Sequence, residues 1–250
     1  MRIDIVSLFP EMFSGPMACS ILGRAQSAGL ARISVVNPRD FAADKHHIVD
    51  DYPFGGGSGM VMKPEPFFSC VESLVSELPP PRSRIILMSP AAPRFCQSDA
   101  LRLSQLEHLI LLCGHYEGVD ERVREYLCDE ALSVGDYVLT GGELPAMVVT
   151  DAVVRLLPGV LGAEDAAALD SYAAGLLEYP QYTRPRKFRE LEVPTVLLSG
   201  NHAEINRWRR QQSLQKTYEL RPDLLESAEL SPADRKFLDL LRCGNDKRSN

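Results

Sequence analysis

The sequence predicts an α/β fold with a mostly parallel sheet, followed by a small all-helical C-terminal domain. Three observations carry this expectation. Apolar runs bounded by Gly or Pro recur through the first 160 residues, as in strands covered on both faces. Stretches with helical patterning separate those runs, the alternation of a parallel sheet. Two capped helical stretches then close the chain.

The elements follow in order. Ile3–Leu8 reads as the first buried strand, and Ala31–Val36, closed by Asn37-Pro38, as the second. Arg84–Ser89, His108–Cys113 and the shorter Leu132–Val134 are the third, fourth and fifth. Between them lie helices over Met17–Ala28, before Gly29, over Glu65–Leu78, stopped by Pro79-Pro80-Pro81, and over Ser98–Leu106. Pro145–Leu157 is apolar nearly all round, so it should be a buried helix. Pro145 falls in its first turn, where a missing N–H costs nothing. Pro158–Thr183 is rich in Gly and Ala, with acids at Glu164, Asp165 and Asp170, and reads as a linker. Asn201 and Glu204 form a capping box that opens a helix to about Leu220. Ser231-Pro232 opens another, ending near Gly244. The expected domains are 1–160, a linker at 161–183, and 184–250.

Composition excludes several classes. The 250 residues are 45% hydrophobic and 24% charged, the balance of a globular protein and not of a disordered or collagen-like one. No apolar run reaches the roughly 20 residues a membrane span needs. Met1–Ile5 is patterned as a strand and not as a signal peptide, so a cytoplasmic location without membrane attachment is expected. Six cysteines without a C-x-x-C pair suggest neither a zinc site nor a disulfide framework. The net charge is −7, yet residues 184–216 hold 8 basic side chains against 3 acidic ones. That stretch is either a polyanion-binding surface or an ordinary solvated face.

Three glycine-rich segments are candidates for chemistry. Phe54–Met60 holds four glycines in five residues, more than a turn needs, which points to close backbone approach. It is not a P-loop, because no G-K-[ST] follows, nor a dinucleotide fingerprint, because Met60 takes the place of the third glycine. Cys113–Asp120 and Val134–Pro145 follow apolar strands, so they should sit at the carboxyl ends of the sheet, where open α/β folds bind ligands. Each carries an aromatic expected to be buried. Arg155 follows Asp151 by four residues, the spacing of an ion pair, but on an otherwise apolar helix. Asp170 is an acid in the linker. Adjacent His46 and His47 point apart on most backbones, so a loop contact is expected there rather than a metal site.

At these segments the sequence resembles the bacterial tRNA (guanine-N1)-methyltransferases of the SPOUT superclass, which act at tRNA position 37. The resemblance rests on Ser7–Phe13, Val49–Asp51, Gly55–Gly57, Tyr116–Val123, Val134–Met147, Pro158–Gly162, Tyr182–Pro185, Val196–Glu204 and Trp208-Arg209, in order along nearly the whole chain. It implies a deep trefoil knot late in the α/β domain and a homodimer. It implies S-adenosylmethionine held by Leu87, Met88, Ser89, Pro90, Gly114, Tyr116, Glu117, Gly118, Val134, Gly135, Tyr137, Leu139, Gly141, Gly142 and Pro145. It implies Asp170 as the base that takes the guanine N1 proton and Arg155 as the donor to O6, and a tRNA grip on the anticodon arm through Asp50, Gly57, Gly59, Arg184, Arg207 and Arg210. It further implies a G at tRNA position 36 and a dependence on Mg2+, bound with Glu117 or substrate oxygens and not in an all-protein cage. Departures from the family pattern fall at His115 for Arg, Leu132 for Trp, Ser58 for Pro, and Ala91–Arg94 for a Gln-Gly-Arg type loop. Competing readings are another SPOUT methyltransferase acting on rRNA or a ribose 2′-OH, and a non-catalytic RNA-binding relative.

Overall fold

The computed structural model describes residues 1–75, 82–162 and 170–246. The chain divides into two compact units, Met1–Glu164 and Asp165–Asn250. In the first unit the order is β1 (Arg2–Val6), α1 (Ser20–Ser27), β2 (Arg32–Val36), β3 (Asp50–Asp51), β4 (Val61–Met62), α2 (Pro64–Val75), β5 (Ser83–Met88), α3 (Gln97–Ser104), β6 (His108–Cys113), α4 (Glu121–Tyr126), β7 (Glu130–Leu132) and α5 (Glu143–Val154). Five strands form one parallel sheet in the order β2-β1-β6-β5-β7. A separate antiparallel pair joins β3 to β4.

The sheet is covered on both faces, which is why its strands read as continuous apolar runs. Successive side chains of a strand point to opposite faces. Ile3, Ile5, Ile86, Leu109 and Leu111 pack with α1, α3 and α5 on one side. Val6, Leu87, Ile110 and Leu112 pack with Phe67, Cys70 and Val71 of α2 on the other. β6 is buried at every position. On the α2 face of the sheet lies a buried polar cluster. The Asp4 carboxylate lies 2.7 Å from His108 Nε2 and 2.6 Å from Arg2 Nε. Register accounts for it: Arg2 pairs with His108 across β1 and β6, and Asp4 follows two residues on, on the same face.

Several boundaries differ from expectation for physical reasons. The fifth strand is Glu130–Leu132, two residues earlier than the apolar run suggested. Its pairing with Ile86–Met88 sets that register, and a turn closed by Ser133 Oγ and Gly135 carries Val134 out of the sheet. The first helix is shortened to Ser20–Ser27, because Cys19 is extended and Ser20 has φ +52°. α4 was not foreseen; Asp120 caps it by accepting a hydrogen bond from the Arg122 N–H at 2.9 Å. α2 is seen to Val75, and the remainder of its expected span, with Pro79–Pro81, lies outside the described residues.

The second unit contains β8 (Lys187–Phe188), β9 (Leu191–Glu192), α6 (His202–Leu220) and α7 (Pro232–Asp246). It is therefore not all-helical, because β8 and β9 pair as a short antiparallel hairpin whose turn includes Arg189 at φ +55°. Part of the expected linker is also folded. Leu176 is buried with Leu214 and Leu238, and the Leu177 N–H donates to Thr217 Oγ1 at 2.9 Å. Lys216 Nζ donates to the Glu178 carbonyl at 3.1 Å. Residues 163–169, with Glu164 and Asp165, lie outside the described residues. Asn201 caps α6 by accepting from the Glu204 N–H at 3.3 Å.

Removing Asp4 takes the hydrogen-bond partner from the wholly buried His108 Nε2, and a buried polar group left unmatched costs about 1–3 kcal/mol. Asp4→Ala is accordingly expected to lower the stability of the first unit by that amount in urea unfolding. A loss below about 1 kcal/mol would show that the cluster contributes little.

Candidate active site

Beyond the carboxyl ends of β5, β6 and β7 lies a cleft of about 980 Å³. Three segments wall it: the chain after β5, the turn after β6, and the stretch from β7 into α5. Leu87–Pro90, Gly114, Tyr116–Gly118, Val134, Gly135, Tyr137, Leu139, Gly141, Gly142 and Pro145 all line it. The structure thus brings the whole set of expected cofactor residues to one place.

Backbone hydrogen bonds hold these segments together. The Gly142 N–H donates to the Gly114 carbonyl at 2.9 Å, and His115 forms a bridge with Gly141. The Ser89 N–H donates to Leu132 at 3.0 Å, and the Phe95 N–H to Ser133 at 2.8 Å. This closeness requires glycine. A Cβ on Gly142 would lie 2.6 Å from Cys113 Cα, and one on Gly141 would meet Glu143 Oε2 at 2.2 Å and His115 Nδ1 at 2.6 Å. Tyr116 adopts φ +57°, a conformation that non-glycine residues seldom take and that often marks a functional turn.

Beside the cleft a buried polar group supports its wall. Glu143 is almost wholly buried and accepts a hydrogen bond from Ser7 Oγ at 2.7 Å. Its Oε2 lies 3.9 Å from His115 Nδ1, and the His115 ring packs against Phe9 and Tyr116 at 4.7 and 4.9 Å. Burial, and after it the Glu143 charge, pushes the Cys113 thiol well above its ordinary value, so that thiol stays neutral.

The two aromatics expected to be buried are instead rim residues, with Tyr116 48% and Tyr137 56% exposed. Tyr137 folds back over Gly135, where a Cβ would lie 2.4 Å from the ring. Arg94, His115, Leu132, Val138 and Thr140 line the cleft as well. Sequence reasoning did not assign these to the site, although each lies within or beside a segment already singled out. Glu143 was missed too; a lone acid leading into an apolar helix was its signal.

The glycine-rich β3–β4 hairpin is fastened to the same wall. The Glu117 N–H donates to the Met60 carbonyl at 3.1 Å, and Met62 bridges Val119. Gly59, at φ +86°, leaves room for the Glu117 side chain, which a Cβ there would meet at 2.6 Å. Asp50, Gly57 and Gly59 thus belong to a hairpin tied to the cleft. Among the described residues no three His, Cys, Asp or Glu side chains cluster as metal ligands do. His47 makes the expected loop contact, its Nδ1 lying 3.1 Å from the Arg39 carbonyl.

Arg155 follows the last residue of α5 in the first unit, where a cation suits the negative end of the helix dipole. Asp170 is half-buried in the second unit, and its carbonyl accepts from the Ala173 N–H at 3.3 Å. Arg184 and Arg207 are exposed there. Arg210 is not free in the same way: its Nη2 lies 2.9 Å from Asp234 Oδ2 and donates to the Glu229 carbonyl at 3.0 Å. It ties α6 to α7.

Comparison with known proteins agrees along the chain. The tRNA (Guanine-1)-methyltransferase TrmD family matches residues 1–227. The tRNA (guanine-N(1)-)-methyltransferase of Moorella thermoacetica is 60% identical over 239 residues, 96% of each chain. That of Dictyoglomus turgidum is 57% identical over 97% of each chain, and that of Halalkalibacterium halodurans 55% identical over 99% of this chain and all of its own. The chain belongs to the tRNA (guanine-1)-methyltransferase family.

Proposed function

We propose that this protein transfers a methyl group from S-adenosylmethionine to N1 of guanosine at position 37 of tRNA. The observation that carries the reading is the convergence of three glycine-bearing segments on one cleft at the ends of parallel strands. Its volume of about 980 Å³ suits a ligand of this size. Apolar Leu87, Leu132 and Leu139 line it together with Gly114, Gly118, Gly141 and Gly142. Bound S-adenosylmethionine would supply a methyl carbon already activated by its sulfonium.

The chain's own residues must make the acceptor nucleophilic. Guanine N1 bears a proton and attacks poorly until that proton leaves. In this reading the Asp170 carboxylate takes it as general base. Negative charge then develops on O6, and the Arg155 guanidinium, which can only donate, stabilises it. The donor set for Mg2+ is thin, because no acidic cluster occurs among the described residues and Glu117 packs on Gly59.

The tRNA anticodon arm would be held by Arg184 and Arg207, with Asp50, Gly57 and Gly59 beside the cleft; Arg210 contributes through the fold of the second unit. The same reading carries a trefoil knot in the segments around Gly114 and Gly142, a homodimer and a cytoplasmic location. Leu144 and Val148, one turn apart on α5 and followed on that face by the exposed Asp151, are 49% and 51% exposed and offer a largely apolar patch for a second copy. No helix among the described residues is long and apolar enough to cross a membrane.

Asp170→Ala is expected to keep S-adenosylmethionine affinity and to lose about 10²–10⁴-fold in methyl transfer to a tRNA transcript. Arg155→Ala should lose about 10²–10³-fold. Near-parental turnover of either variant would remove that residue from its role and, for Asp170, favour a ribose-directed enzyme.

Gly142→Ala should weaken S-adenosylmethionine binding at least about tenfold, because backbone must move to admit the Cβ. Gly15→Ala, where a Cβ meets nothing within 4 Å, should bind as the parent does. Equal affinities in a calorimetric titration would show that the close approach does not shape the site.

A further inference from the structure

We propose that the β8–β9 hairpin is a nucleobase-stacking platform, on which Phe188 and Arg189 hold an unstacked base of the tRNA. This rests on the tRNA reading given above. Phe188 and Leu191 are cross-strand partners, so their side chains share one face of the hairpin. That face is turned to solvent: Phe188 is 60% and Leu191 72% exposed. The Arg189 guanidinium stands 5.3 Å from the centroid of the Phe188 ring. Elsewhere in this unit, Arg209 stacks on a half-buried Tyr179, and Trp208, which neighbours Tyr182, is also half-buried. Tyr172 also has a cation over its ring, Arg221 at 5.9 Å, but it is less open at 45% and Asp223 already binds that guanidinium, so among the described residues of this unit Phe188 is the most open ring with a cation partner.

Charge selects the occupant. Arg184, Arg186, Lys187 and Arg189 are all exposed within six residues. Two acids oppose these four cations, Glu190, engaged by Lys187 Nζ at 3.1 Å, and Glu192, the cross-strand partner of Lys187, so the cations remain in excess. An apolar protein partner would find its contact ringed by like charges. A single-stranded nucleic acid loop matches both features, because phosphates meet the cations and every base has a π-face for the ring. Base stacking of this kind is sequence-tolerant, so the platform would add affinity without choosing among tRNAs. The competing account is that Phe188 and Leu191 do no more than pair across the hairpin.

The test measures affinity for an unmodified tRNA transcript, using the full chain. Phe188→Ala is expected to bind about tenfold more weakly, with an unchanged salt slope, because stacking releases no counterions. Phe188→Trp should restore affinity to within about threefold of the parent, and Phe188→Leu should not, because leucine can pack but cannot stack. Arg189→Gln should weaken binding and lower the salt slope by about one. S-adenosylmethionine affinity should be the same in all four. Parental affinity in Phe188→Ala, rescue by leucine equal to that by tryptophan, or a change confined to self-association would overturn the platform alone. A parent chain that ignores tRNA would overturn the tRNA reading with it. If the alanine variant fails to fold, the tryptophan–leucine comparison decides.

Discussion

Two stretches of backbone pass each other beyond β6 with no side chain between them, and the cleft follows from that contact. Cys113 and Gly114 end the most deeply buried strand of the sheet, and Gly141 and Gly142 return against them before α5 begins. Any Cβ on the returning glycines would meet backbone or a buried side chain. The contact also draws in Glu143, which reaches Ser7 near the end of β1. The cleft wall is thereby joined to the central strands rather than hung on flexible loops. Such a wall is preorganised: little order remains to be bought when a ligand enters.

The parallel sheet was readable because both of its faces are covered. β6 coincides with the apolar run His108–Cys113 residue for residue. β7 does not, because three residues paired to β5 at the sheet edge carry too little apolar signal to fix a register. α4 is six residues long and sits inside a segment dominated by glycine and charge, so periodicity had nothing to count. The chain from Asp170 to Glu178 reads as a linker because small residues dominate it and its only large aliphatics are Leu176 and Leu177, yet both are buried and Leu176 joins the core of the second unit.

The residues around the cleft were readable for a different reason. Glycine-rich segments directly after apolar strands should sit at the carboxyl ends of the sheet, and the resemblance named the residues within them; Gly141 and Gly142 stand there against Cys113 and Gly114. The aromatics misled, because Tyr116 and Tyr137 look like core residues and stand at the rim. The hairpin carrying Phe188 was not readable, and Glu143 only as a lone acid leading into an apolar helix. A buried acid needs its tertiary partner to be recognised, and a two-residue ladder leaves no period. Arg210 shows that a cation in a basic stretch can also serve the fold, through its bond to Asp234.

The most direct test of the account is methyl transfer from labelled S-adenosylmethionine to two tRNA transcripts that differ only in carrying G or A at position 37. The account predicts label on the first alone, mapped to guanine N1. Equal labelling of both transcripts, or label on a ribose, would contradict it.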